Sequence, residues 1–313
     1  MYASANTKYP ILTPVPYHYR RVMIFDVETT GLIPRGLNVR NLTPQQLTEL
    51  PYIIQISWAV YNVVSNRIES TYNAYIDIPK EVPIVDRITE ITGITRTTLD
   101  ENGKDIVPVL EAFYKTYVDC DMVIAHNIEF DQKLIGIEIE RNMSRLIYLP
   151  TVFSIRDIFT THFNAKYGVD LYCTMMATID LCGLPQTAKP LVVPVLPVTT
   201  SSEPLSLAVE EPVVSVQQPK DTPSSPISTI LTPATIPKPE NQKPPKQWAG
   251  QRPKYPRLGE LHQVLFGSVP ENLHNSMMDV LVCLRCFLKI RCCLEVPDRS
   301  FDRMVRNALR VTA

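Results

Sequence analysis

Asp26 and Glu28 stand two residues apart at the end of a short apolar run, Val22-Met23-Ile24-Phe25-Asp26-Val27-Glu28-Thr29-Thr30-Gly31-Leu32. Val22, Ile24, Phe25 and Val27 favour a strand, and Gly31 marks where it must stop. A period of two puts both carboxylates on one face of that strand. Like charges so placed repel and lose hydration unless cations hold them. Metal chemistry is therefore the first expectation.

Two more carboxylates lie beside apolar elements. Asp131 falls in the first turn of a helix predicted over Ile128–Asn142, directly after a buried strand predicted over Met122–His126. Asp279 falls in the first turn of a helix predicted over Ser276–Arg291. His274 precedes Asp279 by five residues, which at about 100° per residue takes it off the same helical face. It reads instead as a loop residue aimed at the same cleft mouth. A plain structural reading stands beside each of these. A first-turn carboxylate favours the helix dipole, and Ser276-x-x-Asp279 has the form of a capping box. Against it for Asp279, Val282, Cys283, Cys286 and Ile290 make a second apolar face around the helix.

The elements that must position these residues read as α/β. A loop over Ile33–Pro51 holds a short helix at Pro44–Leu50, with Thr43 as its N-cap. Ile53–Tyr61 alternates as a second strand, Asn66-Arg67 turns the chain, and Ile68–Asp77 returns as a third, an antiparallel meander. Helices are predicted over Val85–Thr92 and Ile106–Tyr117, and Asn127 is placed to cap the helix carrying Asp131. Later, Arg257–Leu265 reads as a helix ended by Gly267. The stripe Met277, Val280, Leu281, Leu284, Leu288 faces a core, and Phe301–Val311 reads as a small amphipathic helix. Thr151–Asp170 receives no assignment.

At 313 residues the chain allows one large domain or two small ones. Between Pro185 and Pro256 lie sixteen of its 28 prolines and a single glycine, Gly250, a composition that favours extended, solvated backbone. The expected organisation is an irregular arm over 1–20, a domain in two parts over 21–185 and 251–295, a proline-rich disordered insertion over 186–250, and a tail over 296–313. The insertion reads as a spacer or, through Pro223-Ser224-Ser225-Pro226, as a site that binds another protein. Formal net charge is −1, so no basic field marks bulk nucleic-acid binding, and any such contact must be local. Seven cysteines without disulfide-framework spacing, no signal peptide and no long apolar run predict a reducing cytoplasmic or nuclear compartment, neither secreted nor membrane-bound. Cys283-x-x-Cys286 with Cys292 and Cys293 has zinc-like spacing, but Cys283 and Cys286 share a helical face where buried thiols serve as small hydrophobes.

Taken together, Asp26-x-Glu28-Thr29-Thr30-Gly31, His126-Asn127-x-x-Phe130-Asp131 and His274-x-x-x-x-Asp279 resemble the three motifs of the DEDDh class of DnaQ-like 3′→5′ exonucleases. These belong to the ribonuclease H-like superfamily and include the proofreading subunit of bacterial replicative polymerase. Leu50–Trp58, Ile91–Thr95, Tyr172–Met175 (a late strand in the family) and Lys254–Leu261 are similar to family segments, and members from phages and large DNA viruses look nearest. The resemblance covers about Arg21–Leu184 and Lys254–Ile290. The insertion departs from the family pattern.

The resemblance implies a ribonuclease H-like mixed sheet, its first three strands antiparallel and others parallel, flanked by helices. It implies a phosphodiesterase with two Mg²⁺ or Mn²⁺ ions, for which carboxylate oxygens are the suitable hard ligands. Asp26, Glu28 and Asp279 would hold one ion, and Asp26 with Asp131 the other. His274 would take the proton from the attacking water. Thr29, Thr30 and Gly31 would meet the terminal sugar and phosphate, Leu32 the terminal base, and His126 and Asn127 the sugar or backbone. The expected substrate is the 3′ end of single-stranded DNA, cut to 5′-mononucleotides in proofreading, repair or degradation, with a DNA polymerase as one expected partner. RNA trimming is the alternative within the class. A non-catalytic scaffold of the same fold is the alternative outside it, and the presence of all five catalytic residues weighs against that.

Overall fold

The computed structural model describes residues 19–39, 42–185 and 253–310. In chain order the first half runs β1 (Arg21–Thr29), α1 (Pro44–Glu49), β2 (Ile53–Asn62), β3 (Arg67–Ile76), α2 (Asp86–Thr92), α3 (Arg96–Asn102), β4 (Gly103–Lys104), α4 (Ile106–Val118), β5 (Met122–Ala125) and α5 (Ile128–Arg141). Short helices α6 (Met143–Leu146), α7 (Val152–Ile155) and α8 (Thr161–Tyr167) lead to β6 (Asp170–Cys173), then α9 (Thr174–Ala177) and α10 (Ile179–Cys182). Three helices follow Pro253: α11 (Leu258–Phe266), α12 (Ser276–Arg291) and α13 (Asp298–Arg310). The expected insertion over 186–250 and most of the N-terminal arm lie outside the described residues.

The six strands form one mixed sheet in the order β4-β3-β2-β1-β5-β6. β1, β2 and β3 are the predicted antiparallel meander, while β5 joins β1, and β6 joins β5, in parallel. Helices cover both faces. Phe25, Val27, Trp58, Phe113, Leu134 and Ile135 belong to one core, whereas Val22, Ile24, Ala59 and Tyr61 belong to another with Met277, Val280, Leu281 and Leu284 of α12. β2 therefore corrects the expected alternation: every residue from Ile53 to Tyr61 is buried, because a central strand with helices on both sides has no solvent face.

Other differences are local. β4 went unpredicted because it has only two residues, paired with Tyr75 and Ile76. Gly103 permits that pairing, since a Cβ there would stand 2.4 Å from the carbonyl oxygen of Leu99 and 2.8 Å from the amide nitrogen of Asp77. The unassigned stretch over 151–170 holds α7 and α8, each too short to show a helical period. β6 stops at Cys173, so the expected strand over Tyr172–Met175 gives way to helix at Thr174. Thr43 does cap α1, in a complete capping box with Gln46.

Lys254 donates its backbone N–H to the Leu184 carbonyl at 2.9 Å, so the chain leaves and re-enters this unit at adjacent points. A linker of a few residues can span such a gap. Replacing residues 187–251 by a short Gly/Ser linker is expected to leave the melting temperature within about 3 °C. Loss of a cooperative calorimetric transition would show that the segment is needed for folding.

Candidate active site

Asp26 and Glu28 project from β1 toward the α12 side, on the strand face that also carries Val22 and Ile24. In the antiparallel register Asp26 stands opposite Ser57 and Glu28 opposite Gln55. Asp131 enters from the first turn of α5 and is 3% exposed. Asp279 enters from the first turn of α12. Three elements remote in sequence thus deliver four carboxylates to one place.

The capping-box reading of Asp279 is not what the chain does. Asn275 is the N-cap, accepting from the Met278 amide, and the Ser276 hydroxyl turns instead to Ser57. Asp279 Oδ2 accepts the backbone N–H of His274 at 3.2 Å, while its Oδ1 is buried with no hydrogen-bond partner. His274 is exposed and left-handed at φ 69°. One ligand atom each from Glu28, His274 and Asp279 lies within 4.8 Å of the others. Loop placement of His274, read from its spacing, is what brings it there.

Charge is concentrated here without compensation. Among the described residues none of the four carboxylates takes part in an ion pair. Burial, then Asp279, Asp131 and Glu28, push the Asp26 carboxyl well above its ordinary range. Glu28 is pushed up to about 8 by burial and then by Asp279 and Asp131. Burial also raises Asp131 strongly, against the pull of backbone amides, and raises Asp279 to about 7. Asp131 Oδ2, like Asp279 Oδ1, is buried and unpartnered. Buried polar atoms are ordinarily satisfied, so two orphaned carboxylate oxygens in one cluster fit a site for hard divalent cations. The residues present suit the metal.

At the end of β1, Thr29 Oγ1 donates to the Gly31 carbonyl at 2.7 Å, and Thr30 exchanges two hydrogen bonds with the Tyr52 backbone. Both hydroxyls are used to shape the turn. Gly31 has no protein atom within 4 Å of where a Cβ would stand, so the fold itself does not demand glycine there. Leu32 is 85% exposed, beside a cleft of about 550 Å³ lined by Thr30, Gly31, Leu32, Leu50, Tyr52 and Val82.

His126 is held within the protein, and Asn127 does not make the expected cap. His126 Nε2 donates to the Pro256 carbonyl and Nδ1 accepts from Thr174 Oγ1, both at 3.0 Å, since the carbonyl can only accept. Burial drives its pKa down to about 4, so the ring is neutral. Both nitrogens are engaged inside the protein, where the ring links β5, α9 and the segment returning at Pro253. Asn127 precedes α5 in left-handed backbone (φ 74°) and makes no side-chain cap, because that conformation turns its side chain from the helix amides. Cys283 and Cys286 are buried thiols, pushed up by their apolar surroundings, and pack in the core.

Sequence reading missed Gln55, Ser57, Asn73 and Ser276, which hydrogen-bond to one another beneath this cluster. The available signal was two polar residues inside the apolar run Ile53–Tyr61.

A model of the exonuclease family (RNase_T) matches residues 23–179. No curated protein sequence matches the chain. Among solved structures, the chain is similar to E. coli exonuclease I in a zinc-bound complex with single-stranded DNA (13% identity, TM-score 0.47, covering 94% of this chain and 45% of that one). It is likewise similar to E. coli exonuclease I with a dT13 oligonucleotide (14% identity, TM-score 0.48, 93% and 46%). A third is the nuclease domain of 3′hExo, a DEDDh family member bound to rAMP (19% identity, TM-score 0.31, 44% and 65%). The chain spans less than half the length of the exonuclease I chains. With half of its length matched by the family model, the protein belongs to the exonuclease family.

Proposed function

We propose that the protein is a divalent-metal-dependent 3′→5′ exonuclease that releases 5′-mononucleotides from the 3′ end of single-stranded DNA. The observation that carries this is the convergence of four carboxylates, buried or half-buried and none in an ion pair among the described residues, two of them with orphaned buried oxygens, beside one exposed histidine. Asp26, Glu28 and Asp279 would hold one Mg²⁺ or Mn²⁺, and Asp26 with Asp131 a second. Bound cations supply Lewis acidity at a phosphodiester and neutralise charge that develops on it. The chain's own residues do the rest. The clustered carboxylates fix where that charge is met, and His274, held at the solvent side by the hydrogen bond its backbone N–H donates to Asp279, takes a proton from the attacking water. Exposed Leu32 and the open space at Gly31 form the rim where a terminal nucleotide enters. Work on free 3′ ends, in proofreading, repair or degradation, follows from that reading.

The test uses 5′-labelled single strands, as DNA and as RNA, with Mg²⁺, Mn²⁺ or chelator. The expected result is a ladder shortening from the 3′ end in metal alone, faster on DNA. Faster loss of RNA would assign the enzyme to RNA trimming, and no shortening of either would sink the nuclease reading. His274→Ala is expected to lower kcat about 10²–10⁴-fold with Mn²⁺ affinity by calorimetry largely kept. A matching loss of affinity would make His274 a ligand and remove it as the base.

A further inference from the structure

Burial of apolar surface fixes α12 against the sheet but not its register, because the hydrophobic effect has no direction. Met277, Val280, Leu281 and Leu284 would tolerate a small slide or rotation over Val22, Ile24, Ala59 and Tyr61. Such a slide would carry Asp279 and the turn bearing His274 away from Asp26 and Glu28.

One group of contacts in this interface is directional. Ser276, the first residue of α12, donates its backbone N–H to Gln55 Oε1 at 3.3 Å. Its hydroxyl lies 2.6 Å from Ser57 Oγ. Asn73 Oδ1, from β3, accepts from both Gln55 Nε2 (2.9 Å) and Ser57 Oγ (2.8 Å). Gln55, Ser57 and Ser276 are each 0% exposed. Ser57 is the register partner of Asp26, and Gln55 of Glu28. The strand neighbours of the two β1 carboxylates are therefore the residues that grip the start of the helix carrying the third. Asn275 already caps the Met278 amide, so Gln55 and Ser57 add an anchor that helix formation by itself does not require.

We propose that Gln55, Ser57, Asn73 and Ser276 are positioning residues of the nuclease site: they lock the first turn of α12 to β2, so that Asp279 and His274 face Asp26 and Glu28. The inference deepens the metal-dependent nuclease reading and rests on it for the identity of the ligands. Residues that hold metal ligands in place are worth about 10–100-fold in metal affinity or activity.

The decisive comparison sets Ser57→Ala/Ser276→Ala against Tyr117→Phe, which removes a part-buried hydrogen bond to Asn164 between α4 and α8, in the core that α12 does not join. Mn²⁺ affinity by calorimetry, kcat and KM on a single-stranded oligonucleotide, and Tm are measured for each. The double variant is expected to bind Mn²⁺ about tenfold more weakly and to lose kcat about tenfold or more, with KM within about twofold. Ser57→Thr, which keeps the hydroxyl, restores both. Tyr117→Phe lowers Tm alone. If the double variant fails to fold, Asn73→Ala, at the half-buried edge of the network, is expected to move Mn²⁺ affinity in the same direction by about threefold. The proposal is overturned if the folded variants lose Tm as Tyr117→Phe does while Mn²⁺ affinity and kcat stay within about twofold. Absence of nuclease activity in the wild type would reject the function and still leave the Mn²⁺ comparison to decide the positioning.

Discussion

Replacing Asp26 with asparagine is expected to lower exonuclease kcat/KM at least about a thousandfold in Mg²⁺. Asp26 is the one carboxylate proposed to serve both ions, and it faces Glu28, Asp131 and Asp279 together. Charge stabilisation by a catalytic metal is worth several kcal/mol, and about 4 kcal/mol is a thousandfold in rate. The substitution keeps size and shape while removing the negative charge, so lost activity cannot be put down to a cavity. Stability should move the other way. In metal-free protein at pH 8 the cluster carries like charges or buried protons, and Asp26→Asn relieves both. A raised Tm in chelator beside abolished cleavage identifies a ligand whose presence costs the empty fold stability. Cleavage at the wild-type rate would end the assignment.

The second large effect is on stability. Metal-free protein should lose at least about 2 kcal/mol between pH 6.5 and 8. The sign follows from the carboxyls. Glu28 and Asp279 are raised to about 8 and about 7, and Asp26 and Asp131 further, so the native state holds protons that the unfolded chain has already released. Where the native state binds more protons, stability falls as pH rises, by about 1.4 kcal/mol per proton per pH unit. The opposing groups act mostly below this window. His126 and His262, both lowered, add stability as pH rises only up to the ordinary histidine range, and lowered Asp105 and Glu260 act only in acid. Mn²⁺ at about a hundredfold over its Kd should add about 2.7 kcal/mol, or roughly 5–10 °C in Tm, and flatten the slope. A pH-independent Tm in chelator, or no gain with Mn²⁺, would refute the electrostatic account of the site.

Where function was legible in the chain, the reason is that the signal was local. Period two across Val22–Thr29 placed Asp26 and Glu28 on one face, and the helical stripe from Met277 to Leu288 placed Asp279 in a first turn at the bounds observed. The distance of His274 from Asp279 marked it as a loop residue, as it is. Tertiary structure decided the rest. Ser276 has the form of a cap, yet bonds to Gln55, 221 residues away, and no local pattern encodes a partner so remote. His126 stands in a stretch that resembles a family motif, and its nitrogens meet Thr174 and Pro256, 48 and 130 residues away. Every residue from Ile53 to Tyr61 is buried because helices from distant parts of the chain cover both faces of β2. Sequence determined which residues could bear the chemistry, because periodicity and residue type act over a few neighbours. Only the fold decided which of them meet, because hydrogen bonds and charge coupling depend on distances that the chain closes late and across hundreds of residues.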